Sequence, residues 1–126
     1  MAKSFRELLV WQKSMQLAES VYRNTDGFPP REIYGLAAQM RRAAVSIPSN
    51  LAEGSNRGTR KDYRQFVTIA RGSANELQTQ IELAQRIGLL ASKAGEELQM
   101  QTLEVSRMLH NLWAYLSPKK TEKPSA

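Results

Sequence analysis

Arg60, Arg64 and Arg71 stand four and seven residues apart, and on a helix turning about 100° per residue this spacing keeps them within about 40° of one another. The row covers three turns, about 16 Å at about 1.5 Å per residue. Each guanidinium carries five N–H donors in one plane and stays charged, so such a row can follow a phosphate backbone. Contacts of that kind give affinity and register without reading sequence. Arg57 precedes the row in a loop and Lys61 sits within it; these five residues are the candidate nucleic-acid-binding set. Residues 41–71 hold seven basic and two acidic side chains, a net +5 out of +6 for the chain. Positive charge concentrated in this way draws a polyanion, because each neutralised phosphate releases condensed counterions. Two other readings fit the same row: ion pairs with a neighbouring subunit's acids, such as Glu82 or Glu104, or a plain solvated face. Tyr63 and Phe66 fall on the inward arc of the same helix, so base stacking along it is not expected.

The run RRAAVSIPSNLAEG at 41–54 is the second constellation. Helical arithmetic puts Arg42, Ser46, Ser49, Asn50 and Glu53 on one arc, and Arg41 about 100° away beside Tyr34, Val45, Pro48 and Ala52. The first arc reads either as a polar binding pocket or, preferred here, as a structural cluster of hydrogen bonds that fixes the proline turn. Glu53 is matched by Arg57 or by an arginine of another element.

Catalytic patterns do not form. His110 is the single histidine and is expected on the outer face of its helix near Arg107. No serine can be joined to it in a Ser-His-Asp arrangement. A di-iron bundle site needs Glu-x-x-His, and Arg107 stands where the glutamate would be. Neither a P-loop nor a dinucleotide fingerprint occurs. No cofactor or metal is expected, and the chain reads as non-enzymatic.

Four amphipathic helices must position these groups. Ser4-x-x-Glu7 is a capping box for helix one, expected to run to about Asn24. Leu8, Trp11, Met15, Ala18 and Tyr22 form one apolar stripe on it, and Val10, Leu17 and Val21 a second stripe roughly 100° away. An apolar arc that wide exceeds one bundle seam, so helix one is expected to touch neighbours in two directions. Helix two is expected from Pro30, at a first helical position, to Gly54, with Ile33 in its stripe and a kink at Pro48. Thr59 caps helix three, which reaches about Ile87 with Tyr63, Phe66, Ile69, Ala70, Ser73, Ala74 and Leu77 inward. Ser92 caps helix four, whose stripe includes Leu98, Val105, Leu109, Trp113, Tyr115 and Leu116; Met100 and Leu103 point away from it. Short connections between long helices favour an all-α, antiparallel up-down-up-down bundle over residues 1–116, with a flexible tail at 117–126.

The chain has 126 residues, 41% of them hydrophobic and 24% charged, and no cysteine. That composition describes one globular domain without disulfides or thiolate metal sites. No apolar run approaches the roughly 20 residues needed to span a bilayer, and MAKSFRELLVW lacks the features of a signal peptide. The expected placement is cytoplasmic, with no membrane partner.

LLVWQKSMQLAESVY, FPPREIYGLAAQMRRAAVSIPSNLAEGSNRG and DYRQFVTIARGSANELQTQIELA together resemble the family named for proteins encoded within intervening sequences of bacterial 23S rRNA genes. The resemblance covers about residues 5–116; Leu51 stands where the motif more usually carries Ile. It implies a left-handed four-helix bundle assembled into a ring-like homopentamer. It also implies kinship with the accessory variability determinant of diversity-generating retroelements, a basic protein of similar fold that works with a reverse transcriptase and nucleic acid. The two apolar flanks of helix one fit an oligomer, and the expected self-contacts are Val10, Leu17, Val21, Tyr34, Arg41 and Val45. The leading expectation is therefore a homo-oligomeric scaffold whose basic surface binds RNA or an RNA–DNA hybrid. The alternative is an interaction module that recruits a polymerase, such as a reverse transcriptase, without touching nucleic acid itself.

Overall fold

The computed structural model describes residues 4–119. Within them the chain forms a 3-10 turn, Phe5–Glu7, then α1 (Leu9–Thr25), a second 3-10 turn, Pro30–Glu32, and α2 (Leu36–Ser55), α3 (Arg60–Arg86) and α4 (Ser92–Leu116). The fold is all-α, as expected. Each helix packs against the next and α4 closes on α1, with no diagonal contact, so the α1/α2 and α3/α4 grooves lie on opposite faces of the bundle. Residues 120–126 of the expected tail lie outside the described residues; α4 ends at Leu116 and Ser117 is already extended (φ −71°, ψ 148°).

Two helix starts differ from expectation for local reasons. Ser4 does accept an N–H, but from Arg6 (3.2 Å), and it closes the short turn rather than α1. Leu8 is extended (φ −71°, ψ 125°) and separates the two, while Phe5 packs edge-on against Trp11 at 5.3 Å and folds the turn back onto α1. Likewise Pro30 opens a 3-10 turn, and α2 starts only at Leu36, whose N–H reaches the Glu32 carboxylate (3.5 Å). Ile33 and Tyr34 fall in the break and are exposed. At α3 the expectation holds: Thr59 Oγ1 accepts the Asp62 N–H (3.1 Å). Ser92 is the first helical residue of α4, and Ala91 before it offers no side-chain cap. α2 runs unbroken through Pro48, which is buried.

The second stripe of α1 serves the protomer itself. Val10, Leu17 and Val21, expected at a subunit contact, are buried in the protomer's own core, together with Ser14. Ser14 lies on their arc and is satisfied inside it, its hydroxyl donating to the Trp11 carbonyl (2.8 Å). This internal bond removes the penalty that burying a hydroxyl otherwise carries. Of the other stripe, Met15 and Tyr22 are exposed, Ala18 is buried, and Leu8 and Trp11 are half-buried against the core. Around the core sit Met40, Ala44, Ile47 and Leu51 of α2, Val67, Ala74, Leu77 and Ile81 of α3, and Leu98, Val105 and Leu109 of α4. Thr102 is buried by the same device as Ser14, donating to the Leu98 carbonyl (2.7 Å). Ile69 and Tyr115, expected inward, are exposed, as are Ile87, Met100 and Leu103.

Tyr63 is half-buried where α3 begins, and its hydroxyl is shielded from water with no hydrogen-bond partner among the described residues. Burial pushes its pKa up, since the phenolate would lose hydration. The folded form therefore keeps the proton longer than the unfolded chain, and stability declines as pH rises past about 10. Tyr63→Phe is expected to leave stability at pH 7 unchanged or raise it by up to about 1 kcal/mol, because it removes an unpaired buried hydroxyl. It should also flatten the alkaline decline; melting curves at pH 7 and above pH 10 test both parts.

Candidate nucleic-acid interface

The arginine row of α3 does form, and its environment comes from α4. The guanidinium of Arg60 lies 4.6 Å from the ring centre of Tyr115 and donates to that residue's carbonyl. Arg71 lies 4.9 Å from the ring centre of Trp113. These contacts hold the planar groups against aromatic faces while their N–H edges stay available for acceptors. Arg64 lies between them and is half-buried, and Lys61 is exposed. None of Arg60, Lys61, Arg64 and Arg71 pairs with a carboxylate among the described residues. The acids suggested as partners across a subunit boundary are engaged elsewhere: Glu82 with Arg86 (2.7 Å) and Glu104 with Lys13 (3.4 Å). Arg57 stands apart, bound to Glu53 at 2.6 Å and packed 4.9 Å from the Phe66 ring centre. That pairing neutralises it, so it contributes little net field beside the other four.

The polar arc of α2 divides. Asn50 Nδ2 donates to the Ser46 carbonyl (2.7 Å) and to its hydroxyl (3.0 Å), and Ser73 of α3 donates to the same hydroxyl (2.8 Å). Ser46, Asn50 and Ser73 thus make a small link between α2 and α3, in which Ser73 was not foreseen because it lies on the apolar arc. Arg42 is exposed, Glu53 belongs to Arg57, and Ser49 lines the groove between α1 and α2. The preferred structural role fits two of the five residues.

Arg41, expected at a subunit contact, is occupied within the protomer. Its Nε donates to the buried Thr25 hydroxyl (2.9 Å), its NH2 lies 3.6 Å from Asp26, and its guanidinium lies 4.7 Å from the Tyr22 ring centre. It ties α2 to the end of α1. Arg41→Gln is expected to lower stability by about 1–2 kcal/mol through loss of this charge-assisted hydrogen bond, which urea unfolding measures.

Two grooves flank these elements. Between α1 and α2 an apolar trough of about 680 Å³ is lined by Trp11, Met15, Tyr22, Val45, Pro48 and Ala52, with Arg6, Glu19 and Arg23 at its rim. Of the expected self-contacts, only Val45 lines it. Between α3 and α4, about 340 Å³ is lined by Arg71, Asn75, Leu103, Ser106, Arg107 and His110. Arg107, His110, Trp113 and Tyr115 were not recognised as one feature in the sequence. Their signal is the recurrence of 107, 110 and 113 on one side of α4, which antiparallel packing then sets beside the α3 row. Among the described residues no helix is long and apolar enough to cross a membrane. Among the described residues no three His, Cys, Asp or Glu side chains gather into a cluster that could hold a metal ion.

The family model for the 23S rRNA-intervening sequence protein matches residues 6–111. The chain belongs to that family. A solved structure of a protein of unknown function from the S23 ribosomal protein family of Bacteroides thetaiotaomicron is similar to it, with a TM-score of 0.75 and 22% identity over 83% of this chain and 98% of that one. At that identity the likeness concerns the fold alone. The curated proteins contain no match. In this member of the 23S rRNA-intervening sequence family, then, the shared bundle carries an apolar groove on one face and a basic, aromatic-backed groove on the other.

Proposed function

We propose that this protein is a non-enzymatic, homo-oligomeric scaffold that binds RNA, or an RNA–DNA hybrid, along the basic side of α3. The observation that carries this reading is the set Arg60, Lys61, Arg64 and Arg71, four cations along one helix with no carboxylate partner among the described residues. Charges left uncompensated in this way raise the local potential and favour a polyanion over any neutral ligand. Arg60 and Arg71 are also held in place by Tyr115 and Trp113, so less side-chain entropy is lost on binding. Self-association is assigned to the α1/α2 groove, where a second copy would cover Trp11, Met15 and Tyr22. Its rim carries both signs, Glu19 against Arg6 and Arg23, which suits a surface meeting its own kind. With that groove turned inward, the α3/α4 side faces out.

Fluorescence anisotropy with an unstructured RNA over a salt series tests the reading. Lys61→Glu/Arg64→Glu alters the two cations of the row that make no aromatic contact, so the fold should be kept, which thermal melting verifies. With two fewer phosphates neutralised on a single strand, the slope of log affinity against log salt falls by about 1.4. Binding that ignores salt, or is unchanged in the double variant, sinks the proposal. The apolar groove favours a second reading, recruitment of a polymerase through a partner helix seated on Trp11 and Met15. Copurification of a polymerase that survives nuclease treatment and is lost on Met15→Asp, from protein that is monomeric by light scattering, would favour that reading over self-association.

A further inference from the structure

We infer that the groove between α3 and α4 is a phosphate-binding subsite for a nucleotide strand, formed by Arg71 on one wall and Arg107 and His110 on the other. This rests on the nucleic-acid reading above and adds residues of α4 that the arginine row does not include. The groove measures about 340 Å³ and none of its lining side chains is acidic, a size at the lower end of sites for small ligands. Its polar groups converge from two helices: Arg71 and Asn75 from α3, Ser106, Arg107 and His110 from α4. All five can donate a hydrogen bond.

Trp113 organises the wall. Arg71 sits 4.9 Å from its ring centre, and His110 stacks on it at 6.1 Å with 26° between the planes. Stacking fixes the plane of the Arg71 guanidinium and turns its N–H edge toward an acceptor, the geometry in which arginine grips a phosphate with two parallel bonds. Arg107 and Arg71 face a common space with no intervening acid, so their mutual repulsion is relieved by an anion between them. The remaining charged groups nearby do not offset this: Glu104, one turn before Arg107, is held by Lys13 on the α1 side. The subsite lies about 16 Å from Arg60 at about 1.5 Å per residue. At about 3.4 Å per stacked nucleotide, a strand of roughly five nucleotides reaches from one to the other.

His110 is the only histidine, so its ring protons are a unique reporter in proton NMR spectra of the full chain. The protein is titrated at constant pH with uridine 5′-monophosphate, inorganic phosphate and uridine. The His110 signals are expected to move with the first two and to stay put with uridine. Arg107→Gln should weaken the response roughly tenfold, the loss expected for one charge-assisted bond, while Lys93→Gln, which removes a charge at the far end of α4, leaves it unchanged. The same variants are compared by RNA anisotropy. Signals that ignore both phosphate compounds, or a response equal in Arg107→Gln and wild type, overturn the subsite. If RNA still binds and depends on Lys61 and Arg64, the broader proposal survives that failure. If uridine moves the signals as strongly as its monophosphate, the groove recognises the base and the inference is likewise overturned. A phosphate response without any RNA affinity overturns the nucleic-acid reading and, with it, the assignment of the subsite to a nucleotide strand.

Discussion

Gly54→Val is expected to destabilise the bundle by about 3 kcal/mol, the upper part of the range for overpacking a core. Gly54, near the end of α2, lies directly against α3. A Cβ on Gly54 would stand 2.7 Å from Phe66 Cβ and 3.0 Å from Tyr63 Cδ1. Phe66 Cβ is fixed to its own backbone, so a rotamer change cannot clear it and the helices must separate. Separation reaches the Ser46–Asn50–Ser73 link and the Leu51 and Val67 side chains that the same interface buries. Alanine tests the sign of the effect, because replacing glycine in a helix otherwise gains up to about 1 kcal/mol; Gly54→Ala should still melt lower than wild type. Gly72→Ala is the control. Gly72 is also in a helix, nothing lies within 4 Å of its would-be Cβ, and stability should rise by about 0.5–1 kcal/mol. Urea titrations of the three variants separate close approach from helix propensity; equal shifts for Gly54→Ala and Gly72→Ala would contradict this account.

Helical periodicity revealed the number of helices, the Thr59 cap and the common direction of Arg60, Arg64 and Arg71, because each depends on residues within a few turns of one another. It failed where one helix carries two apolar faces. On α1, Val10, Leu17 and Val21 compete with Trp11, Met15 and Tyr22, and the stripe containing Ser14 loses in any count of apolar residues. Yet that stripe is the buried one, since Ser14 can hydrogen-bond to its own helix and enter the core cheaply, as Thr102 does on α4. Of the bulkier stripe, Met15 and Tyr22 stay at the surface. Partners across helices were hidden for a different reason. Nothing within α3 says that Tyr115 and Trp113, 55 and 42 residues after the arginines they meet, stack on its arginines. That contact follows from antiparallel packing, which sets the start of α3 against the end of α4.

Because the two grooves lie on opposite faces, a charge placed in one can report on the other. Val45→Glu introduces a carboxylate into the α1/α2 trough at a residue 40% exposed in the protomer. An exposed position tolerates that change within about 0.5 kcal/mol, so the isolated bundle should melt as before. A second copy seated on the trough would have to bury the new carboxylate beside Trp11 and Met15, and an unpaired buried charge is not sustained there. Light scattering should therefore show wild type as an assembly and Val45→Glu as a protomer. RNA affinity should fall as well, although α3 is untouched. Under the proposed function, joined subunits would bind one strand through several α3 faces, and linkage of that kind strengthens binding by roughly 10² to 10⁴ without any new interaction. A monomeric variant keeps its salt dependence per protomer but loses that multiplication. If Val45→Glu stays assembled, the trough is not where copies meet; if it dissociates and binds RNA as tightly as before, the strand is held by a single α3 face and the assembly serves some other end.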